Sequence, residues 1–503
     1  MSENGERQRR RNGKMPVMDT LTADQSRIYD QARRSRDARF DGLFFTAVVS
    51  TRIYCRPVCP APTPKPQNIR YYRDAAAAEA AGFRPCLRCR PELSPGNAHW
   101  RRADDHVARA LRAINQGVLH EGGLEAICAR LSIGTRQLRR LFEQAFGASP
   151  LAVATTQRLL FAKQLLTETR MSMIEVAMAS GFGSLRRFNA AFQNAYRMPP
   201  SRLRASADKA PSGERLRLRL SYRPPFDFAA SLAFLRQRAI AGIETIDAQH
   251  YRRDLILSAG PAWFEVRQVP GAHALEVEAH NIAALDLADV VRRLRRMFDL
   301  DADPSSVAEM LREDPLFRGR DSYREGLRIP AGYDGFEVAV RAILGQQISV
   351  AATTTFARRL VTKFGASAPG ADGRDVHRFP TPVELADADL ESIGITRSRA
   401  QALRSMARAV ADERVHFRAE QTLDAFVADW SALPGIGDWT AQYMALRALA
   451  HPDAFPAGDL ILRRQAATEG TALTEKALRL RAEAWRPWRA YAVIQLWSRA
   501  STP

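Results

Sequence analysis

Apolar and polar residues alternate with period two in RLRLRLSY (215–222), the signature of a half-buried strand. Runs at 255–258, 263–269 and 274–278 predict further strands, and helical patterns at 229–238 and 285–297 predict two helices covering one face of that sheet. Downstream the period becomes helical, at 305–312, 335–348, 351–364, 381–393, 397–411 and 474–484. Phe336, Val340, Ile343 and Leu344 form the buried stripe of the second of these. A tight turn, Leu433-Pro434-Gly435-Ile436-Gly437, then separates two more helical patterns. Asp424, Phe426, Val427 and Trp430 precede it, and Trp439, Tyr443, Leu446 and Leu449 follow at helical spacing. Asp459 comes 22 residues after Gly437, past a helix of about three turns and a Pro-Asp loop.

Upstream, residues 100–205 nearly repeat themselves at an offset of 50: Ala129, Phe142, Phe146 and Pro150 correspond to Ala179, Phe192, Tyr196 and Pro200. Each copy reads as a short helix, a Gly-containing turn (132–134 or 181–183) and a second helix. The second helices carry Arg136, Gln137, Arg139 and Arg140 in one copy and Arg186, Arg187 and Asn189 in the other. Arg and Asn on the front of such a helix reach guanine and adenine edges in a DNA major groove, although arginines also suit a solvated face. Cys128 aligns with Met178, an apolar slot expected in the core.

Charge narrows the choice of partner. The 503 residues, enough for three or four domains, hold 74 Lys+Arg against 55 Asp+Glu, a net charge of +19. That favours a polyanion, nucleic acid before an acidic membrane surface. No apolar run approaches membrane-spanning length and the N-terminal ERQRRRNGK lacks an apolar signal core, so a soluble intracellular protein is expected. The five cysteines are unevenly spread: four lie between Cys55 and Cys89, and none follows Cys128. Cys55-x3-Cys59 and Cys86-x2-Cys89 are two close pairs across a loop, which is how a chain wraps one tetrahedral zinc ion in a reducing compartment. A purely structural zinc site would satisfy this spacing by itself. In the Gly-rich turn, glycines permit close approach of the backbone, and the N–H groups opening the next helix can hold a phosphate. On the turn alone, an αα-hairpin with a solvated Asp459 fits as well.

The wider residue patterns resemble known families. R-I-Y-C-R-P-V-C followed by A-G-F-R-P-C-L-R-C is similar to the N-terminal domain of the Ada-type alkylation response proteins. The resemblance implies that Cys55, flanked by Arg52 and Arg56, is both zinc ligand and nucleophile, taking a methyl group irreversibly from a methylphosphotriester. The 50-residue repeat resembles the AraC-type DNA-binding domain. L-P-G-I-G-x-W-T-A with D-A-F-P-x-x-D looks like the AlkA-like 3-methyladenine glycosylases of the helix-hairpin-helix superfamily, and the order of strands and helices before it resembles their α+β N-terminal domain. That likeness implies a catalytic Asp459, phosphate contacts at Gly435 and Gly437, and a base pocket of Trp439, Tyr443 and Trp497 whose faces stack on a cationic alkylated base. Within GQQIS, Gln346 and Gln347 match a turn near the DNA, as wedge residues or as polar caps. Leu460 departs from the aromatic that follows the family's aspartate, which leaves base preference open. Trp439 occupies the position where strand-cutting relatives carry lysine, and no C-terminal iron–sulfur cysteines exist, so a monofunctional enzyme is implied. No P-C-H-R motif is present, so direct O6-methylguanine reversal is not expected.

The expected fold is multidomain and mainly α: a small zinc-bound α+β domain (19–92), an all-α paired helix-turn-helix domain (100–205), an α+β sheet domain (213–297) and an all-α helix-hairpin-helix glycosylase domain (298–503). Expected partners are double-stranded DNA, alkylated and operator, bound through Gly435, Gly437, Gln346, Gln347, Arg136, Arg139, Arg186 and Arg187, with RNA polymerase a further candidate. A monomer, cytoplasmic and nucleoid-associated in a bacterium, without membrane contact, completes the expectation. The rival reading is a methylation-switched transcription regulator whose glycosylase-like half is a catalytically inactive scaffold.

Overall fold

The computed structural model describes residues 22–96, 106–205, 215–319, 322–370, 373, 375–467 and 471–500. The N-terminal basic run, residues 206–214, the first residues of three expected domains and the last three residues of the chain lie outside these. No helix among the described residues is long and apolar enough to cross a membrane.

The first module opens with the helix Ala23–Ser35, started by a capping box in which Thr22 and Gln25 satisfy each other's backbone N–H. A four-stranded sheet follows: β1 (Phe45–Val48), β2 (Ile53–Cys55), β3 (Ile69–Tyr72) and β4 (Arg84–Pro85), in the order β3-β1-β2-β4. β4 runs parallel to β2, pairing Tyr54 with Pro85. The Cys86 N–H donates to the Tyr54 carbonyl at 2.9 Å, so this register brings the two cysteine pairs together.

The repeat folds as read. Thr135–Phe146 buries Leu138, Phe142 and Phe146, and Leu185–Tyr196 buries Phe188, Phe192 and Tyr196, the same three positions 50 residues on. The 19-residue helix Pro150–Glu168 joins the two units, started by Ser149, whose side chain accepts from Ala152 N–H. One detail is corrected. Cys128 is buried, but its counterpart Met178 is 41% exposed, so the slot is core in the first unit only.

The second sheet is antiparallel, β5 (Leu216–Ser221), β6 (Glu244–Ile246), β7 (His250–Leu257), β8 (Gly260–Gln268) and β9 (Ala274–His280), in the order β5-β9-β8-β7-β6. Helices Phe228–Arg236 and Ala284–Met297 supply Leu232, Leu235, Leu287, Val290 and Leu294 to its core, which is continuous with Phe188, Phe192 and Tyr196 of the second helix-turn-helix unit. β6 was not foreseen, and β7 starts five residues earlier than the expected 255. The cause is Arg253, which faces inward at an otherwise apolar position and pairs with Glu337 at 2.5 Å.

The last part is helical around one large core containing Trp430, Leu446 and Trp485. Here several expected bounds shift. The helix read as 335–348 is Gly335–Leu344, because Gln347 has φ +60° and cannot continue it. The segment 381–393 is a short helix Pro382–Ala386 followed by a 3-10 turn Leu390–Ile393. The helices Pro315–Arg318, Leu460–Gln465 and Arg489–Ala500 and the hairpin of β10 (Ser367–Pro369) with β11 (Asp375–His377) were not anticipated.

Buried polar contacts join these parts. Lys163, in the long helix, donates to Glu92 at 2.5 Å and to the Cys86 carbonyl at 3.2 Å. Gln164 and Glu168 satisfy the backbone carbonyl and N–H of Arg219 at 2.8 and 3.1 Å, capping edge strand β5. Arg223, fully buried, donates to the carbonyls of Asp41 (2.8 Å), Gly96, Asp301 (2.7 Å) and Ala302 (3.3 Å). Arg130 pairs with buried Glu420 at 2.9 Å, while Arg109 and Arg112 donate to the carbonyls of Glu420 and Ala419. A charge removed from water costs several kcal/mol, so each such group is held only where its partners are all in place.

Candidate functional site

Two sites stand on this frame. In the first, the Sγ atoms of Cys55, Cys59, Cys86 and Cys89 all lie within 4.8 Å of one another. Cys55 ends β2, and Cys59 closes a turn in which its N–H donates to the Arg56 carbonyl at 3.2 Å. Cys86 and Cys89 are buried, whereas Cys55 and Cys59 are half-buried. The sulfurs compete for protons: the contact with Cys59 most strongly pushes the Cys55 thiol up, and the same contact pulls Cys59 down to about 7. Four sulfurs this close can all be thiolates only around a cation, and an all-sulfur tetrahedral set suits a single zinc ion. Arg56 does not point outward. It forms an ion pair with buried Asp41 and donates to the Cys89 carbonyl at 3.1 Å, while its N–H reaches the Cys89 sulfur at 3.4 Å. Arg52 lies over the Phe83 ring at 5.6 Å.

The second site is built on the hairpin between helices Leu423–Ser431 and Asp438–Leu449. Gly435 has φ +82°, and a Cβ there would meet Ala402 Cβ at 2.7 Å, so backbone conformation and packing both require glycine. Gly437 is the N-cap of the second helix with open space around it, leaving that helix's first N–H groups accessible. Gln346 turns inward: its side-chain amide donates to the Gly435 carbonyl at 2.9 Å and to Thr440 Oγ1 at 3.2 Å, bracing the turn. Gln347 is exposed beside it. Asp459, half-buried, is not in an open loop but caps the helix Leu460–Gln465, its Oδ1 accepting from Leu462 N–H at 3.0 Å. No described residue donates to its Oδ2. A Cβ on the preceding Gly458 would lie 3.7 Å from Trp439 Cδ1, so the backbone just before Asp459 runs close to that ring.

That wall is continuous. Trp439 stacks on Tyr443 at 5.4 Å between centroids, and Tyr443 meets Trp497 at 6.2 Å. Trp497 lies parallel to Phe234 at 6.3 Å. Phe234 comes from the helix Phe228–Arg236 under the sheet, and sequence reasoning missed it; its only signal was an aromatic in a helix otherwise assigned to core. Tyr443 Oη accepts from Arg447 at 3.0 Å. Burial raises that hydroxyl's pKa, but Arg447, Arg238 and Arg341 outweigh it and hold the group below its ordinary value. On the paired helices, Arg136, Arg139, Arg186 and Arg187 are all exposed.

Comparison with known proteins matches four family models in succession: the metal binding domain of Ada at 29–92, a helix-turn-helix domain at 127–206, the AlkA N-terminal domain at 217–334 and the HhH-GPD superfamily base excision DNA repair proteins at 340–490. The DNA-3-methyladenine glycosylase 2 of Escherichia coli is 32% identical over 55% of this chain and 95% of its own. The bifunctional transcriptional activator/DNA repair enzyme Ada of Escherichia coli is 38% identical over 24% of this chain and 33% of its own. The probable bifunctional transcriptional activator/DNA repair enzyme AlkA of Mycobacterium tuberculosis is 38% identical over 95% of this chain and 97% of its own. With end-to-end similarity at that level, the chain belongs to the AlkA family of bifunctional transcriptional activator/DNA repair enzymes.

Proposed function

We propose that this protein repairs alkylated DNA in two ways and reports the damage. The glycosylase half hydrolyses the N-glycosidic bond of alkylated bases such as 3-methyladenine, without cutting the strand. The zinc module takes a methyl group from a methylphosphotriester, and the paired helix-turn-helix domain couples that event to transcription. What supports the reading is that Asp459 follows Gly458, whose backbone approaches Trp439 of the Trp439–Tyr443–Trp497 ring series, in one chain with a four-sulfur cluster.

The chemistry follows from these groups. Phosphates seat on the N–H groups after Gly437, and Gln347, exposed at the neighbouring turn, supports the strand from which a nucleotide is extruded. As the bond between sugar and base breaks, positive charge builds on the sugar, and the Asp459 carboxylate stabilises it until water adds at the same carbon. In the zinc module, bound zinc keeps the sulfurs as thiolates. The Cys55 sulfur attacks the methyl carbon, an S–C bond forms, the C–O bond breaks, and the phosphodiester leaves as an anion. A neutral triester can approach such a site where an ordinary phosphodiester would be repelled. Product analysis on alkylated duplex DNA tests the proposal: free alkylated bases in solution and methyl covalently bound to protein are both expected. Finding neither would refute it.

Methylation should also strengthen DNA binding by residues 100–205. Four thiolates around a divalent cation leave two negative charges, and converting one to a thioether leaves one. Less repulsion from phosphate then raises affinity, and the gain should shrink as salt screens it. Titrations of operator-containing DNA before and after methylation, at low and high salt, check this. Equal affinities at low salt would make the module a repair device only.

A further inference from the structure

Two neighbouring turns meet DNA on the glycosylase reading above: the hairpin turn 433–437 and the turn 345–349, which carries exposed Gln347. One helix stands behind both. The helix Arg397–Ala411 sets Arg399 and Ala402 on the same face, three residues apart. Ala402 backs the hairpin, since a Cβ on Gly435 would meet its Cβ at 2.7 Å. Arg399, half-buried, reaches the other turn, its guanidinium donating to the Gln346 carbonyl at 2.6 Å. The Gln346 side chain then donates to the Gly435 carbonyl at 2.9 Å and to Thr440 Oγ1 at 3.2 Å, which closes a ring of contacts among the three segments.

The Gln346 carbonyl lies in the peptide plane that joins Gln346 to Gln347, and the orientation of that plane sets the φ of Gln347. Gln347 has φ +60°, a left-handed conformation that is costly for a residue with a Cβ and persists only where its surroundings hold it. The turn's own backbone bonds are long, 3.3 Å from Gln346 N–H to the Ile343 carbonyl and 3.4 Å from Ile348 N–H to the Gly345 carbonyl. Among the described residues no donor other than Arg399 reaches the Gln346 carbonyl. We infer that Arg399 is a positioning residue for nucleotide extrusion: it locks the 346–347 peptide and thereby aims Gln347 relative to the hairpin turn. This rests on the glycosylase reading and deepens it. Arg399 acts through that peptide, so its loss bears on delivery of the nucleotide and not on bond breaking at the sugar.

The test is single-turnover excision of one 7-methylguanine by the full-length protein, from a duplex where it pairs with cytosine and from one where it faces an abasic site. Extruding the unpaired base costs less, so a defect in extrusion falls on the first duplex. Arg399→Gln should slow release from the paired duplex by about tenfold or more, the scale of one released left-handed constraint, while release opposite the abasic site stays within about threefold. A merely structural role would slow both alike, and equal slowing, or none, overturns the inference. Gln347→Ala should also slow paired release, and the double variant should be no slower than the slower single, because one change removes what the other misplaces. Effects that multiply would overturn it too. Gln347 is exposed, so its variant decides even if Arg399→Gln does not fold: undiminished paired release would leave Arg399 nothing to position. If the wild type releases the base from neither duplex, the glycosylase reading fails and this inference with it, a result distinct from an active wild type matched by its variant.

Discussion

Replacing Asp459 by asparagine is expected to lower base excision by at least about 100-fold, about 2.7 kcal/mol of transition-state stabilisation, while DNA affinity stays within a few-fold. The substitution removes charge and little else. Asp459 Oδ1 accepts from Leu462 N–H as the N-cap of a short helix, and asparagine caps as well as aspartate does, so the helix should stay in place. On the proposed reading, binding draws on the N–H groups after Gly437 and on exposed arginines, which the change leaves alone, and losing a negative charge near phosphate can only help it. Single-turnover release of 3-methyladenine, read beside a binding titration, separates the two effects. Near wild-type release by the variant would assign the chemistry to another group, and Glu475, whose Oε2 lies 3.4 Å from where a Cβ on Gly458 would stand, would be examined next. The resemblance puts Trp439 at the position where strand-cutting relatives carry lysine, and on that reading borohydride should trap no protein–DNA complex. A trapped adduct would point instead to a lyase and a lysine.

The parts of the molecule that announce themselves in sequence are those where one backbone or ligand requirement fixes residue type. The φ +82° at Gly435, the four sulfurs within 4.8 Å and the aromatic repeat of Phe142 and Phe192 are of that kind. The illegible parts depend on contacts between distant segments. Arg253 hides the start of β7 because its partner Glu337 lies 84 residues away, so nothing local marks it as buried. Phe234 joins the pocket from a helix that its own periodicity explains as core. Gln346 reads in sequence as wedge or cap, and its amide contact with the Gly435 carbonyl, 89 residues away, has no local signal. The joints are harder still: Arg223 is held by four carbonyls, and a carbonyl acceptor leaves no trace in residue type. The same joints imply that the two DNA-contacting halves do not move freely past each other, since Lys163, Gln164 and Glu168 on one helix hold both the cysteine loop and edge strand β5.

Exposure to methylphosphotriester-containing DNA is expected to place one methyl group per chain, on Cys55, and Cys55→Ser should reduce uptake to background. Burial narrows the choice first. Cys86 and Cys89 are each 6% exposed, and a sulfur must reach the methyl carbon in line with the leaving oxygen, so Cys55 and Cys59 remain. The resemblance to the Ada-type domain then selects Cys55. The surroundings agree with a sulfur held ready: Cys55 sits at the end of a paired strand, with Thr46 opposite it and Arg56 locked to Asp41, whereas Cys59 follows in a turn. Uptake should saturate at one equivalent, because a thioether has no route back to a thiolate. Zinc content should be one ion per chain before and after, since the methylated sulfur can remain a weak ligand while three thiolates hold the metal. Peptide mapping by mass spectrometry decides between the cysteines, and metal analysis of Cys55→Ser separates loss of the nucleophile from loss of the fold. Methyl found on Cys59, Cys86 or Cys89, or uptake continuing in a zinc-loaded Cys55→Ser protein, would remove Cys55 from its role and return the cluster to a structural one.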